Sequence, residues 1–318
     1  MNKKIPVIAV QGPTASGKSA TALAICEKYG GEIISCDSMQ IYRKMDIGTA
    51  KPTKEEMARV PHHLIDICEP DEDFSAAVFA ERAQSAIKDV FLRGKVPVLC
   101  GGTGLYLDSV LRGVDFGELE PDPAYRAELA KFAEENGNEA LHAKLMSLDP
   151  EAANAIHFNN VKRVIRALEI CKTSGMTKTE WDKKAIEHES PYEAIIFALD
   201  YRDRETLYAR IDKRVDIMME EGLLDEVKAL LDGGYLTPES TAGGAIGYKE
   251  LIGYFKGDIP LEDAVSAIKI ATRHYAKRQL TWLRRNKNIH WLYPDDYENK
   301  EMLLNAVFDA IQRAYLFS

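Results

Sequence analysis

Paired cysteines are missing from this chain. Its five thiols, Cys26, Cys36, Cys68, Cys100 and Cys171, never fall at C-x-x-C spacing, which argues against a zinc ribbon or a disulfide framework and suits a reducing compartment. A long apolar run is missing too. The opening MNKKIPVIAVQG holds only a few apolar residues before a glycine-rich turn, too few for a signal peptide or a membrane span, so a cytoplasmic protein without membrane attachment is expected. Positive charge is not in excess: 41 Lys and Arg face 50 Asp and Glu, and the net charge of −9 argues against nonspecific affinity for nucleic acid. Any RNA site must therefore be a local basic patch. No fixed-period repeat or low-complexity tract is found. What remains is a chain of 318 residues, 46% hydrophobic, able to bury a sizeable core in one large domain or two modest ones.

The hydrophobic pattern alternates strand and helix. A β-branched run over 5–11 ends at Gly12 and a helical pattern over 18–29 follows; further strands are expected over 32–36, 63–68 and 96–100, with an amphipathic helix over 75–93. Gly101-Gly102-Thr103-Gly104 leads from the 96–100 strand into a short helix. Repeated β-loop-α units of this kind predict an α/β fold, a P-loop-type parallel sheet core flanked by helices, with ligands at the carboxyl ends of the strands. From about Phe116 onward the pattern becomes charged and helical without a convincing strand, which predicts a helical insertion domain. Strand character returns over 194–200, helices are expected over 204–231 and 261–285, and a last strand over 289–292. The expected division is a first core part over 1–115, the insertion over 116–193, and a second core part over 194–318.

Gly12-Pro13-Thr14-Ala15-Ser16-Gly17-Lys18-Ser19 fits G-x-x-x-x-G-K-[ST] between a strand and a helix. Its glycines allow consecutive amides to face phosphate oxygens while the helix offers its positive end. Lys18 would neutralise phosphate charge and Ser19 would hold Mg2+. The motif by itself suggests an ATPase, GTPase or small-molecule kinase. Such hydrolases usually carry a strand ending in Asp, whereas the 96–100 strand ends in Gly101-Gly102. The 32–36 strand, in contrast, delivers Asp37-Ser38-Met39-Gln40 to the sheet edge of the phosphate loop. There Asp37 could act as a general base, and Ser38 and Gln40 could bind an aromatic base; Asp37 could equally cap a turn. His62, His63 and His157 are scattered, and such histidines are more often structural.

A series of motifs then runs in order through the chain: the phosphate loop, Asp37-Ser38-Met39-Gln40-Ile41-Tyr42, Met45-Asp46-Ile47-Gly48-Thr49-Ala50-Lys51-Pro52, Pro61-His62-His63, Gly101-Gly102-Thr103-Gly104-Leu105-Tyr106, Arg163 with Arg166-Ala167-Leu168-Glu169, Gly247-Tyr248-Lys249-Glu250, and Lys277-Arg278-Gln279-Leu280-Thr281-Trp282-Leu283-Arg284. Together they resemble the tRNA dimethylallyltransferase (tRNA isopentenyltransferase) family of bacterial type.

The resemblance implies that the loop holds the diphosphate of dimethylallyl diphosphate, and that the acceptor is the exocyclic amine of the adenosine 3′ of the anticodon in tRNA. It implies Asp37 as the base, Lys18 and Ser19 with Mg2+ at the leaving diphosphate, and Arg214 as a further diphosphate contact. It implies tRNA contacts at Asp37, Ser38, Met39, Gln40 and Thr103, whose other reading is a helix cap. Arg126 and Lys162-Arg163-Val164-Ile165-Arg166 are implied to touch tRNA on the insertion, and Gly244-Ala245-Ile246-Gly247-Tyr248-Lys249 and Lys277 to Arg284 elsewhere. The last of these supplies the basic patch that the net charge requires. Gly243-Gly244 departs from the bulkier or basic residues expected there, and no cysteine-and-histidine zinc extension follows. A monomer is expected. An adenylate isopentenyltransferase, a P-loop small-molecule kinase and a non-catalytic RNA-binding protein are the alternatives; the insertion and the basic helix favour tRNA over free AMP.

Overall fold

The computed structural model describes residues 4–72, 74–111, 122–186, 189–237 and 240–315, and divides into two compact units, 1–111 with 191–318, and 112–190. The expected insertion boundary at Phe116 lies outside the described residues.

In the first unit β1 (Ile5–Gln11), α1 (Lys18–Tyr29), β2 (Gly31–Ser35), α2 (Lys54–Arg59), β3 (His62–His63), α3 (Ala76–Leu92), β4 (Val96–Gly101) and α4 (Gly104–Leu111) come first. The second unit contributes α5 (Pro123–Asn136), α6 (Asn138–Leu148), α7 (Pro150–Ala155), α8 (Val161–Ser174) and α9 (Lys178–Ile186). The chain then returns to the first unit with β5 (Tyr192–Leu199), α10 (Arg204–Glu220), α11 (Leu223–Asp232), α12 (Tyr248–Phe255), α13 (Leu261–Leu283), β6 (Ile289–Leu292) and α14 (Lys300–Tyr315).

The six strands pair in parallel in the order β3-β2-β4-β1-β5-β6. Successive side chains of a strand point to opposite faces, and β1 is apolar on both. Ile8 and Val10 pack with α1 and α14, whereas Val7 and Ala9 pack with α3 and α4. The register aligns Gln11 with Gly101 and Ser35 with Cys100, so the loops after β1, β2 and β4 leave the sheet at one edge. A separate apolar cluster joins α11, α12 and α13 to Ile41, Tyr42 and Met45. The helical unit has its own core, in which Leu129, Leu141, Leu145, Val164 and Leu168 are buried.

Three expectations are corrected. The strand over 63–68 shrinks to His62–His63, because Leu64 and Asp66 take positive φ values of 62° and 55° that end extended pairing. The single helix over 204–231 breaks at Gly222, whose φ of 102° is left-handed and starts α11 anew. The helix α14, which the pattern reading did not include, covers one face of the sheet through Leu303, Val307 and Ile311. No helix among the described residues is long and apolar enough to cross a membrane.

Candidate active site

The phosphate loop lies between β1 and α1, where its sequence requires it. Gly17 holds φ 96°, ψ 7° at the N-cap of α1 and supplies no capping side chain, so the first amides of the helix remain available to an anion. Ala15 also has positive φ (62°), and its carbonyl is held by Arg210 Nε, which donates to it at 3.0 Å. Lys18 Nζ donates to the Pro13 carbonyl at 3.3 Å.

Two buried polar atoms have no hydrogen-bond partner among the described residues: Ser16 Oγ in the loop, and Arg214 Nε on α10. A buried donor left unmade is costly, and such a cost is explained when a ligand supplies the missing acceptor.

Asp37 acts on the charge of both Lys18 and Arg214. Burial, then the Arg214 guanidinium, pushes the Lys18 ammonium below its ordinary value, while Asp37 pulls it back up. Burial likewise lowers Arg214 against the same Asp37. Neither cation forms an ion pair among the described residues. Cys100, at the end of β4, is pushed up to about 11, chiefly by burial, with Lys18, Asp37 and the Ser19 hydroxyl all acting on it. This thiol stays neutral and inert.

The neighbouring loops close over this edge by backbone contact. Thr103 N–H donates to the Cys36 carbonyl at 3.2 Å, and a Cβ on Gly101 would collide with the Cys36 backbone, so only glycine permits that approach. Asp37 Oδ1 accepts from Met39 N–H at 2.9 Å. Ser38 N–H donates to Thr103 Oγ1 at 3.1 Å, and the Thr103 hydroxyl donates to Ser38 Oγ at 3.3 Å. Thr103 is thus tied to the Asp37–Gln40 turn through its side chain. Gln40 is occupied as well: Oε1 accepts from Ser35 Oγ at 3.0 Å, and Nε2 donates to the carbonyls of Thr49 (3.3 Å) and Ala50 (3.1 Å). Its expected contact with an aromatic base would require giving up these bonds.

The α13 stretch divides by face. Lys277, Arg278, Thr281 and Arg284 are exposed, whereas Leu280 and Leu283 are core. Gln279 is not an RNA-facing side chain: it is buried, accepts from Thr14 N–H at 3.1 Å and donates to the Gly102 carbonyl at 2.9 Å, so it bridges two site loops. Trp282 Nε1 donates to Asp108 at 2.9 Å and packs against Gly104, which commits most of its ring to the fold. Arg284 reaches buried Asp200 only at 3.4 Å. In the Gly244 to Lys249 stretch, Gly244 and Lys249 are exposed, Ile246 is half-buried, and Ala245, Gly247 and Tyr248 are buried.

In the helical unit, Lys162 and Arg163 are exposed, and Val164 and Ile165 are buried. Arg126 grips Glu169 with two bonds of 2.7 and 2.9 Å, and Arg166 pairs with the same carboxylate at 2.5 Å. Burial opposes the charge of Glu169, but these two forks hold its carboxyl down at about 2. The histidines are structural: His62 bonds the Val60 carbonyl, His63 meets Glu32, which Arg93 also holds, and His157 accepts from Asn159 N–H.

Sequence reading did not single out Tyr275. Burial, then Asp37, pushes its hydroxyl up to about 12, with Thr103 and Gln279 acting in the opposite direction, so it stands neutral near the Asp37 turn. Tyr275, Gln279 and Trp282 share one helix face at i, i+4, i+7 spacing, the signal by which they could have been grouped.

A family model described as IPP transferase matches residues 40–286. A tRNA dimethylallyltransferase of Bacillus velezensis is 50% identical over 313 residues, covering 98% of this chain and 98% of its own length. One from Thermoanaerobacter sp. is 47% identical over 300 residues, covering 94% and 95%. Among solved structures, the full-length tRNA isopentenylpyrophosphate transferase of Bacillus halodurans superposes with a TM-score of 0.74 at 44% identity, covering 98% of this chain and 97% of that one. A eukaryotic dimethylallyltransferase captured acting on tRNA gives a TM-score of 0.83 at 29% identity, covering 97% and 79%.

Proposed function

The chain belongs to the IPP transferase family, and on that premise we propose that it transfers a dimethylallyl group from dimethylallyl diphosphate to the exocyclic amine of the adenosine 3′ of the anticodon in tRNA. The observation that carries this reading is the pair of cations, Lys18 and Arg214, without an ion-pair partner among the described residues and opposite a carboxylate that belongs to a different loop.

An allylic diphosphate leaves readily once its charge is clamped, and an adenine amine attacks only when it is aligned and relieved of a proton. The N–H groups of Gly17, Lys18 and Ser19 at the start of α1, with the Lys18 and Arg214 side chains, receive the negative charge of the departing diphosphate. Asp37 takes the amine proton as the new C–N bond forms and the C–O bond to diphosphate breaks. Ser19 offers an oxygen donor at the loop, which with phosphate oxygens and water makes the oxygen donor set that Mg2+ prefers. The ion would supply charge neutralisation of the diphosphate there. Thr103, Ser38 and Met39 would border the extruded adenine, which has to leave the anticodon stack. Arg126, Lys162, Arg163 and Arg166, together with Lys249, Lys277, Arg278 and Arg284, supply the positive charge for tRNA backbone. The protein would work in the cytoplasm as a monomer.

The test is mass spectrometry of nucleosides from unmodified tRNA incubated with the protein, Mg2+ and either dimethylallyl diphosphate or ATP. An adenosine heavier by one dimethylallyl group, with the first donor only, is expected. Modification of free AMP instead, or phosphorylation of a metabolite with ATP, would replace this reading with an adenylate isopentenyltransferase or a kinase.

A further inference from the structure

Glu226, on α11, does something that the transfer reaction as described does not use. Its Oε2 accepts from the backbone N–H of Asp46 and of Ile47, each at 2.8 Å, and its Oε1 accepts from Gly48 N–H at 3.1 Å and from the buried Tyr248 hydroxyl at 2.7 Å. Three successive amides turned toward one carboxylate form an anion nest, and here the anion is a side chain of the protein itself. Charge-assisted bonds of this kind are the strong ones, and this carboxylate makes four. Gly48 lies so close to the Tyr248 ring that a Cβ there would sit 2.6 Å from it.

The loop held in this way is the one whose next two carbonyls, Thr49 and Ala50, take both donor contacts of the Gln40 amide, while the Gln40 oxygen takes the Ser35 hydroxyl. Gln40 closes the turn that begins with Asp37. A continuous path of hydrogen bonds therefore runs from Glu226 through residues 46–50 and Gln40 to the acceptor turn. We propose that Glu226 is a positioning residue for the transfer reaction, with Tyr248 as its support, acting through Gln40 on the placement of Asp37 and Ser38. This rests on the reading of that turn as the acceptor side of the site.

The test is a double-mutant cycle on the full chain: single-turnover transfer at saturating tRNA and donor for the wild type, Glu226→Gln, Gln40→Ala and the double variant, with thermal midpoints and inorganic diphosphate affinity measured alongside. Gln in place of Glu puts an amide hydrogen against donors. Each single change is expected to slow transfer about ten- to a hundredfold, since misplacement of reacting groups by an ångström has effects of that order. The double variant should be no slower than the slower single, with diphosphate affinity unchanged in all four. Slowing that multiplies, a wild-type rate in Glu226→Gln, or diphosphate affinity that falls with the rate would overturn the proposal. Should Glu226→Gln fail to fold, the same cycle is run with Tyr248→Phe, which removes one of the four bonds; a smaller loss that disappears on the Gln40→Ala background is expected, and a loss that persists there overturns the proposal. An Asp37→Asn variant that keeps its rate would sink the assignment of the base while leaving the Glu226–Gln40 coupling to be judged by the cycle.

Discussion

Two clusters of cations in this molecule have opposite accounts. In the helical unit Arg126 and Arg166 converge on fully buried Glu169, which accepts from both forks and from Asp122 N–H. At the sheet edge Lys18 and Arg214 are drawn inward, and among the described residues neither forms an ion pair and Arg214 Nε and Ser16 Oγ have no hydrogen-bond partner. The first cluster needs no ligand to complete it, because its arginines already hold a buried carboxylate of the fold, whatever their exposed ends also meet. The second costs stability until an anion arrives, which is what a binding site for a diphosphate should look like. Cation count alone does not mark an anion site; the balance of donors against acceptors does.

The largest expected effect removes the carboxylate that acts on both cations of the incomplete cluster. Asp37→Asn should lower single-turnover transfer by about 10²–10⁴-fold, the usual range for a general base, while tRNA affinity in a filter or anisotropy assay stays near wild type. Equal loss of binding and rate would make Asp37 a structural residue instead. Next comes Arg214→Gln, expected to weaken inorganic diphosphate binding by about ten- to a hundredfold, as loss of a charged hydrogen bond does, without lowering the thermal midpoint. A stability loss comparable to that of a Glu169 variant would erase the distinction between the clusters. Lys18 gives the same comparison a pH axis. Its value in the fold lies below the ordinary 10.5, so the unfolded chain holds that proton more tightly, and stability should rise with pH between the lowered value and 10.5. Diphosphate, by favouring the ammonium, should remove that rise, and its affinity should fall as Lys18 deprotonates; calorimetric titration across alkaline pH measures both.

How much of this was legible in the chain depends on distance along it. The phosphate loop was readable because its strand, two glycines, lysine and helix are contiguous, and each requirement is local. The role of Gln279 was not, because it was grouped by motif with RNA-facing neighbours while its partner Thr14 lies 265 residues away. Position on the helix carried a hint, since Gln279 falls on the stripe of Ala276, Leu280 and Leu283 that α13 buries. The break at Gly222 escaped pattern reading because apolar residues recur at helical spacing on both sides, at Leu207, Ile211 and Val215 and again at Leu223, Val227 and Leu230. A periodicity that runs through a glycine hides the change of axis that the glycine permits. Arg126 illustrates the converse: a residue that resemblance ties to tRNA also holds a buried carboxylate.

The complete cluster should respond to stability assays. Glu169→Gln leaves two guanidinium groups sharing a neutral amide and should cost about 1–2 kcal/mol, moderated because both arginine ends reach water. Its carboxyl lies at about 2 against an ordinary 4.5, so its contribution is in full above 4.5, shrinks as pH falls below that, and is gone below about 2. Urea melts of wild type and Glu169→Gln between neutral pH and pH 3 should therefore converge on the acid side; parallel curves would mean that the ion pairs carry little.

Arg284 belongs to neither cluster and gives the smallest effect. It is mostly exposed and meets Asp200 at 3.4 Å, too long for a strong bond, so it is neither committed to the fold nor drawn into the phosphate site. If such a loosely held cation works on RNA backbone, Arg284→Ala should weaken tRNA binding only a few-fold, reduce the slope of log affinity against log salt by about 1, and leave the thermal midpoint in place. An unchanged salt slope with a lowered midpoint would assign Arg284 to the fold through Asp200, and the positive face of α13 would then have to act through Lys277 and Arg278.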